Sequence, residues 1–185
     1  MKKVILLGDS IRLIGYGKKT AELLSPDFNV WQSEDNNRYA KYTFRECRNM
    51  EQELADVDII HWNNGLWDIQ VQLDGEVLTP VERYVEDMVR LAKLLQKQAK
   101  VVIFATITPV HPEAPAMRNP DIDAFNAAVV PVLREMGVVI NDLHTAVAAD
   151  VERYICEDHI HLSQEGIDLC AGLVENIIRA EAEKL

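Results

Sequence analysis

The chain has 185 residues, a formal net charge of -11 and 48% hydrophobic residues. At roughly 150 residues per domain, this length predicts one domain over residues 1–185, and the apolar share excludes a disordered chain. The acid excess argues against a nucleic-acid partner, and no stretch reaches the ~18 apolar residues of a membrane span. We therefore expect a globular protein that binds neither nucleic acid nor membranes.

The N-terminal segment and the cysteines bear on the cellular compartment. The apolar run over residues 4–7 is shorter than the ~7–15 residues of a signal-peptide core. We therefore predict a cytoplasmic protein, although a leader removed ahead of this segment would leave the same sequence. The three cysteines form no C-x-x-C pair, which predicts reduced structural thiols and neither a zinc ribbon nor a disulfide framework.

Five short apolar runs predict the strands of a parallel sheet. They cover residues 4–7, 28–31, 57–62, 101–106 and 138–141. The first, third and fourth runs are followed by turn-forming Gly, Asn or Pro, as in buried parallel strands. The sheet is therefore expected to have about five strands.

Helical patterns alternate with these strands. A helix is predicted over residues 18–24, and residues 79–82 resemble a capping box with Pro80 in the first helical position. Asn119-Pro120 is expected to open a helix that Gly137 ends, and Ser163 is expected to cap the last helix. This alternation predicts βαβ units with helices on both faces of a parallel sheet.

The functional residues are expected just after the strands, because ligands of parallel sheets bind at the carboxyl ends of the strands. Gly8-Asp9-Ser10 follows the first strand and Asn63-Asn64-Gly65 follows the third. Thr108 and His111 follow the fourth, and Asp158-x-x-His161 precedes the last helix. These groups are expected to meet at one rim of the sheet.

Two phosphate-binding patterns fail at this rim. A Walker A loop ending at Gly17-Lys18 would require glycine in place of Arg12. A dinucleotide fingerprint beginning at Gly15 would require glycine in place of Thr20. The sequence therefore favours another chemistry.

The residue types at the rim suit acyl transfer, which needs a nucleophile, a base, a carboxylate that orients the base, and oxyanion donors. Ser10 offers a hydroxyl at a strand-to-helix turn, and the spacing of Asp158 and His161 lets the carboxylate reach one imidazole nitrogen while the other points outward. Taken singly, Ser10 could be a helix cap, Asn64-Gly65 a turn, and the Asp-His pair half of a metal site. Their joint position after strands favours catalysis.

Together, Gly8-Asp9-Ser10 near the start and Asp158-x-x-His161-Leu162-Ser163 near the end resemble the SGNH/GDSL hydrolases, over the whole chain. The resemblance implies a flavodoxin-like, three-layer α/β/α fold with a central parallel sheet, and a serine-esterase mechanism that requires no metal or organic cofactor. It assigns Ser10 as nucleophile, His161 as general base and Asp158 as the partner that orients it.

The oxyanion hole is less plain in the sequence. The family's G-x-N-D block is altered here to Trp62-Asn63-Asn64-Gly65. Counting from the strand makes Asn64 the side-chain donor, whereas a second register ends the block at Asp68 and places Trp67 where Asn belongs. We prefer Asn64 because that register keeps the donor. The glycine of the family's second block is not evident, and Asn37 is the candidate backbone donor beside the Ser10 N–H.

We predict hydrolysis of short-chain esters through an acyl-enzyme, with acetyl favoured because no long apolar lid is visible. A rim set is expected to suit a carbohydrate or another polar alcohol: Trp62, Trp67, Asp68 and His111. The sequence does not indicate the oligomeric state.

Three alternatives remain open. One is a non-catalytic, flavodoxin-like module that binds a small ligand, because this kind of fold does not settle function. Another is an acyltransferase that uses the same triad. The third is a metallo-hydrolase built on Asp158, His159 and His161, with His111 as the other available ligand.

Overall fold

The computed structural model describes all residues from 1 to 185. Its centre is a five-stranded parallel sheet in the order β2-β1-β3-β4-β5. The strands are β1 (Lys2–Gly8), β2 (Phe28–Gln32), β3 (Val57–Asn63), β4 (Ala99–Ala105) and β5 (Val139–Asn141). All five predicted strands are therefore confirmed, and β3 extends one position further to include Asn63.

Helices cover both faces of the sheet and complete a three-layer α/β/α sandwich, as predicted. Helices α1 and α7 pack together, while α3 packs against both α2 and α4. The helices are α1 (Gly17–Leu24), α2 (Ala40–Glu46), α3 (Val81–Gln98), α4 (Asn119–Glu135), α5 (Leu143–Ala148), α6 (Val151–Tyr154) and α7 (Gln164–Ala182), and a π-helical segment over Ile11–Tyr16 precedes α1. None of them combines the length and apolar character that a membrane crossing requires.

The predicted helix ends are confirmed at α4 and α7 and wrong at α3. The Ser163 hydroxyl accepts a hydrogen bond from the Gly166 N–H at 3.1 Å, and Gly137 follows α4 with a left-handed φ of 82°. At α3, Pro80 has an extended ψ of 145° and itself precedes the helix, with no side-chain cap. The Thr79 N–H donates instead to the Asp68 carbonyl, so residues 79–82 form no capping box.

The sheet and its helices enclose a core cluster of 42 buried hydrophobic residues. Trp62 is fully buried and packs on Phe104, with ring centroids 5.1 Å apart. The prediction that Trp62 and Asp68 lie on the rim is therefore wrong. Trp62 lies inside β3, ahead of the strand end. Asp68 is 1% exposed because its carboxylate turns inward to accept the Ala40 N–H.

One glycine fixes the turn that presents Ser10. Gly8 ends β1 with a φ of +147°, and a Cβ at this position would overlap Asn63 Oδ1. A side chain at this position would therefore force Asn63 out of its place beside β1. Because glycine has no side chain, the main chain can turn sharply here into the π-helical segment, which Ser10 immediately precedes.

Candidate active site

Ser10 and His161 meet at the rim formed by the carboxyl ends of the strands. Ser10 immediately precedes the π-helical segment, and His161 lies in the loop before α7. Their side chains approach closely, with His161 Nε2 2.8 Å from Ser10 Oγ. A neutral imidazole at this distance can accept the hydroxyl proton, which is the first requirement of a general base.

Asp158 holds the other side of the imidazole. Its Oδ2 lies 2.6 Å from His161 Nδ1, while Oδ1 accepts the N–H groups of Ile160 and His161 at 2.9 and 2.8 Å. Burial raises the pKa of Asp158, but the hydrogen bonds from His161 and Ile160 outweigh it and hold that pKa well below its usual range. The carboxylate therefore stays ionised, and it favours the tautomer that leaves Nε2 free to accept a proton.

Arg12, which the sequence did not single out as functional, ties the Ser10 turn to the loop after β2. Its fully buried guanidinium donates to the carbonyls of Ser33, Asp35 and Gly8. No carboxylate pairs with it directly, and burial lowers its pKa. The sequence does contain a hint of this role, because an arginine shortly after a buried strand needs hydrogen-bond acceptors. The sequence does not indicate which loop supplies those acceptors.

The candidate backbone donor Asn37 does not have the predicted role. Its N–H already donates to the Gly8 carbonyl at 3.1 Å, and its side-chain oxygen accepts the Gly8 N–H at 3.1 Å. The prediction of a free Asn37 N–H is therefore wrong, because this residue docks the loop on β1 like a strand partner. No loop or side-chain acceptor competes for the Ser10 N–H.

The structure presents two asparagine amides near the end of β3. The Asn64 amide nitrogen donates to the Arg38 carbonyl at 2.7 Å, and its amide oxygen is buried without a partner. The Asn63 amide nitrogen donates to Asp9 Oδ1 at 2.6 Å, directly before Ser10, and its oxygen accepts the Tyr16 hydroxyl. Each amide nitrogen has a second hydrogen. Asn63 is therefore an alternative to Asn64 as the side-chain donor to the oxyanion.

Two carboxyl groups near the rim, those of Asp9 and Asp68, are buried. Burial raises the pKa of Asp9 to about 6, against the hydrogen bonds from Asn63 and the Ile11 N–H. Burial also raises the pKa of Asp68 to about 7, although the Ala40 N–H and the Thr79 hydroxyl lower it. The Asp68 carboxyl also contacts the start of α2, because it accepts the Ala40 N–H at 3.0 Å.

The metal ligand set predicted for a metallo-hydrolase is not brought together. Both ring nitrogens of His161 are engaged by Ser10 and Asp158. His159 instead packs against His111, with ring centroids 4.6 Å apart and the ring planes tilted by 48°. The two histidines of the His159-Ile160-His161 segment thus belong to separate clusters.

Comparison with known proteins gives structural relatives only. No protein-family model matches the chain, and no curated protein matches it in sequence. Among solved structures, a lipase/acylhydrolase from Enterococcus faecalis has a TM-score of 0.81 at 18% identity, covering 97% of this chain and 96% of that one.

Two further structures give the same result. The acetyl xylan esterase AlAXEase has a TM-score of 0.80 at 17% identity, covering 95% of this chain and 99% of that one. A GDSL-like lipase from Bacteroides thetaiotaomicron has a TM-score of 0.74 at 15% identity, covering 100% of this chain and 89% of that one. The resemblance to the SGNH/GDSL hydrolases is thus confirmed for the fold, over nearly the whole length of each chain.

Proposed function

We propose that the protein is a serine esterase that hydrolyses short-chain, chiefly acetyl, esters of a polar alcohol such as a carbohydrate. The observation that carries the proposal is the continuous chain from Ser10 Oγ to His161 Nε2 at 2.8 Å and from His161 Nδ1 to Asp158 Oδ2 at 2.6 Å. Nucleophile, base and orienting carboxylate in this order are recognised by geometry rather than by position in the chain.

The reaction follows from this geometry. His161 removes the proton of Ser10 as Oγ attacks the acyl carbonyl, and a tetrahedral intermediate forms. The protonated imidazole, stabilised by the Asp158 carboxylate, then gives the proton to the leaving alcohol, which departs and leaves an acyl-serine. Water attacks the acyl group with the same base, and the acid is released. Every step uses residues of this chain and needs no metal or organic cofactor.

The oxyanion of the tetrahedral intermediate requires donors fixed before the reaction. We assign the Ser10 N–H and the second hydrogen of the Asn64 amide to this role. The bond to the Arg38 carbonyl holds the Asn64 amide in one orientation, which supports the assignment. Asn63 is the alternative donor, and the two can be separated by substitution.

The exposed Arg38 and two half-buried aromatic rings beside it support the choice of a polar alcohol. The Arg38 guanidinium lies 5.9 Å from the ring centre of Trp67 and 5.0 Å from that of Tyr42. Arg38 adjoins the proposed oxyanion hole because its carbonyl accepts the Asn64 amide. Aromatic rings combined with hydrogen-bond donors suit a sugar better than a long acyl chain. One structural relative is itself named an acetyl xylan esterase.

A substrate screen tests the proposal. Purified protein is assayed on p-nitrophenyl esters of increasing acyl length and on acetylated xylo-oligosaccharides, with Ser10→Ala as the matched control. We expect turnover of acetyl esters that declines with acyl length and is absent from the variant. Turnover that rises with chain length would contradict the acetyl preference, and equal turnover by Ser10→Ala would contradict the mechanism.

The acyltransferase alternative uses the same triad and differs in what attacks the acyl-enzyme. The same assay in the presence of a sugar acceptor distinguishes the two activities. Free acetate as the main product supports hydrolysis, whereas acetylated acceptor as the main product would establish transfer.

A further inference from the structure

A second cluster of ionisable side chains lies beside the triad and plays no part in the proposed reaction. It consists of His111, Glu113 and His159, and one nitrogen or oxygen atom from each lies within 4.8 Å of the other two. The His111 N–H donates to the His159 carbonyl at 2.9 Å. This main-chain hydrogen bond therefore holds His111 and His159 close together, independently of the contacts of their imidazole rings.

The contacts of His111 select one tautomer of its ring. Glu152 Oε1 lies 3.0 Å from Nε2, and the Glu113 N–H lies 3.2 Å from Nδ1. An ionised carboxylate only accepts hydrogen bonds and an N–H only donates, so Nε2 carries the proton and the Nδ1 lone pair receives the Glu113 N–H. This contact, at 3.2 Å, is the one that a bound ion would replace. A carboxylate that receives one N–H of a histidine is the usual way in which a metal-binding imidazole is oriented.

The backbone of His159 is unusual as well. It has a left-handed φ of 68°, a conformation uncommon for residues other than glycine, although histidine adopts it more often than most. The neighbours Asp158 and Ile160 both contribute to the triad loop, through the carboxylate and through the N–H that holds it. In this conformation the His159 ring packs, tilted, against the ring of His111.

We propose that His111, Glu113 and His159 bind a divalent transition metal ion such as Zn²⁺. The ion would join the loop that follows β4 to the loop that carries Asp158 and His161. Two imidazoles and one carboxylate are a ligand set for zinc, with water in the fourth position. Mg²⁺ and Ca²⁺ prefer oxygen ligands alone, so the two nitrogens select against them.

The geometry is compatible with such an ion. Zinc–ligand lengths of ~2.0–2.1 Å place tetrahedral ligand atoms ~3.3 Å apart, which is less than the largest separation observed. The Glu113 side chain is exposed and is free to close this difference by rotating. The net charge of -11 also attracts cations to the surface.

This site is separate from the catalytic chemistry. His161 binds Ser10 and Asp158 at 2.8 and 2.6 Å, which are shorter contacts than the 3.2 Å contact at His111 Nδ1. The proposed ligand set contains neither His161 nor Asp158. Metal binding alone therefore tests the proposal, which does not depend on the esterase assignment.

Calorimetric titration of the metal-free, full-length protein with ZnCl₂ tests the site, with MgCl₂ as the ion control. The ligand variants are His159→Asn, since asparagine tolerates the left-handed backbone, and Glu113→Gln. The matched control is His144→Gln, because His144 pairs with Asp123 elsewhere, at 3.2 Å. Circular dichroism of each variant confirms that it is folded.

We expect one saturable Zn²⁺ site in the wild type and in His144→Gln, and no saturable binding of Mg²⁺. Each ligand variant should bind Zn²⁺ at least ~10-fold more weakly. Zn²⁺ should also raise the melting temperature of the wild type, since an ion that binds only the folded state stabilises it. Absence of saturable binding in the wild type, or undiminished binding in His159→Asn and Glu113→Gln, would overturn the proposal.

Discussion

His161 Nε2 lies 2.8 Å from Ser10 Oγ, although 151 positions separate the two residues in the chain. The contact exists because β1, an interior strand between β2 and β3, ends at the same rim to which the loop before α7 returns. Two ends of the chain thus contribute the two reacting groups, and the fold rather than local sequence sets their separation.

Replacing Asp158 by asparagine should impair catalysis without unfolding the protein. The amide keeps the shape of the side chain but loses the charge that stabilises the imidazolium and selects its tautomer. A loss of ~10⁴-fold in kcat is the scale for this change in a triad. Kinetics on a p-nitrophenyl ester measure it, and the neighbouring exposed Glu157→Gln serves as control. A loss in Asp158→Asn no larger than in Glu157→Gln would remove Asp158 from the mechanism.

Alanine substitutions at Asn64 and Asn63 should behave differently. We expect Asn64→Ala to lower kcat by ~10²–10³-fold, the effect of losing one oxyanion donor. Asn63→Ala should mainly lower the melting temperature, because the Asp9 carboxyl and the Tyr16 hydroxyl lose a buried partner. Kinetics and thermal melts of both variants measure this contrast. The opposite pattern, with the large kcat loss in Asn63→Ala, would assign the donor to Asn63.

Asp68→Asn should stabilise the protein increasingly as pH rises from about 5 to about 8. Burial raises the pKa of Asp68 from 3.8 to about 7, so between these values the folded state binds the proton that the unfolded state has lost. Stability therefore falls with rising pH through this window, and the loss is complete above the folded pKa. An asparagine does not titrate and keeps an oxygen to accept the Ala40 N–H.

Between about pH 5 and about pH 8 this effect is at most about 3 kcal/mol, because about two pKa units fall in that interval and each corresponds to about 1.36 kcal/mol. Urea unfolding of the wild type and variant at both pH values measures it, with the exposed Asp74→Asn on the adjoining loop as control. A stability difference between Asp68→Asn and wild type that does not grow with pH would show that Asp68 is ionised throughout this range.

Exhaustive dialysis against EDTA should leave the esterase activity intact. In the proposed mechanism Ser10, His161 and Asp158 carry the reaction through contacts with one another, and no step uses a metal. The assay is kcat on an acetyl ester before and after chelation, with metal content measured in parallel. Activity that disappears on chelation and returns with one divalent metal would replace the triad mechanism by metal-assisted hydrolysis.

The sequence was sufficient to predict the sheet and the meeting of Ser10, Asp158 and His161 at one rim, because strand ends and the Asp158–His161 spacing are visible in it. A buried strand ending in Gly8 places Ser10 at the rim, and the three-residue spacing of Asp158 and His161 allows their contact. The short helices α2, α5 and α6 were not predicted, since each is too short for a periodic apolar stripe.

The oxyanion side of the site could not be read from the chain. The position of Asn37 depends on Arg12, which binds carbonyls of the loop after β2. Trp62 was misplaced because β3 runs one residue further than predicted, which leaves the Trp62 side chain in the core and not at the rim. Such long-range contacts and exact strand ends leave no local signal in the sequence.

Covalent labelling of Ser10 by a fluorophosphonate tests the central claim most directly, since the reagent needs an activated serine and the Oγ–Nε2 contact supplies one. Labelling is measured by intact mass and peptide mapping, in the wild type, in Ser10→Ala and in the exposed-surface control Glu157→Gln. We expect one adduct, on Ser10, in the wild type and in Glu157→Gln, and none in Ser10→Ala, whose melting temperature should be unchanged. A wild-type protein that stays unlabelled, or a label on another residue that persists in Ser10→Ala, would contradict the assignment of Ser10 as the nucleophile.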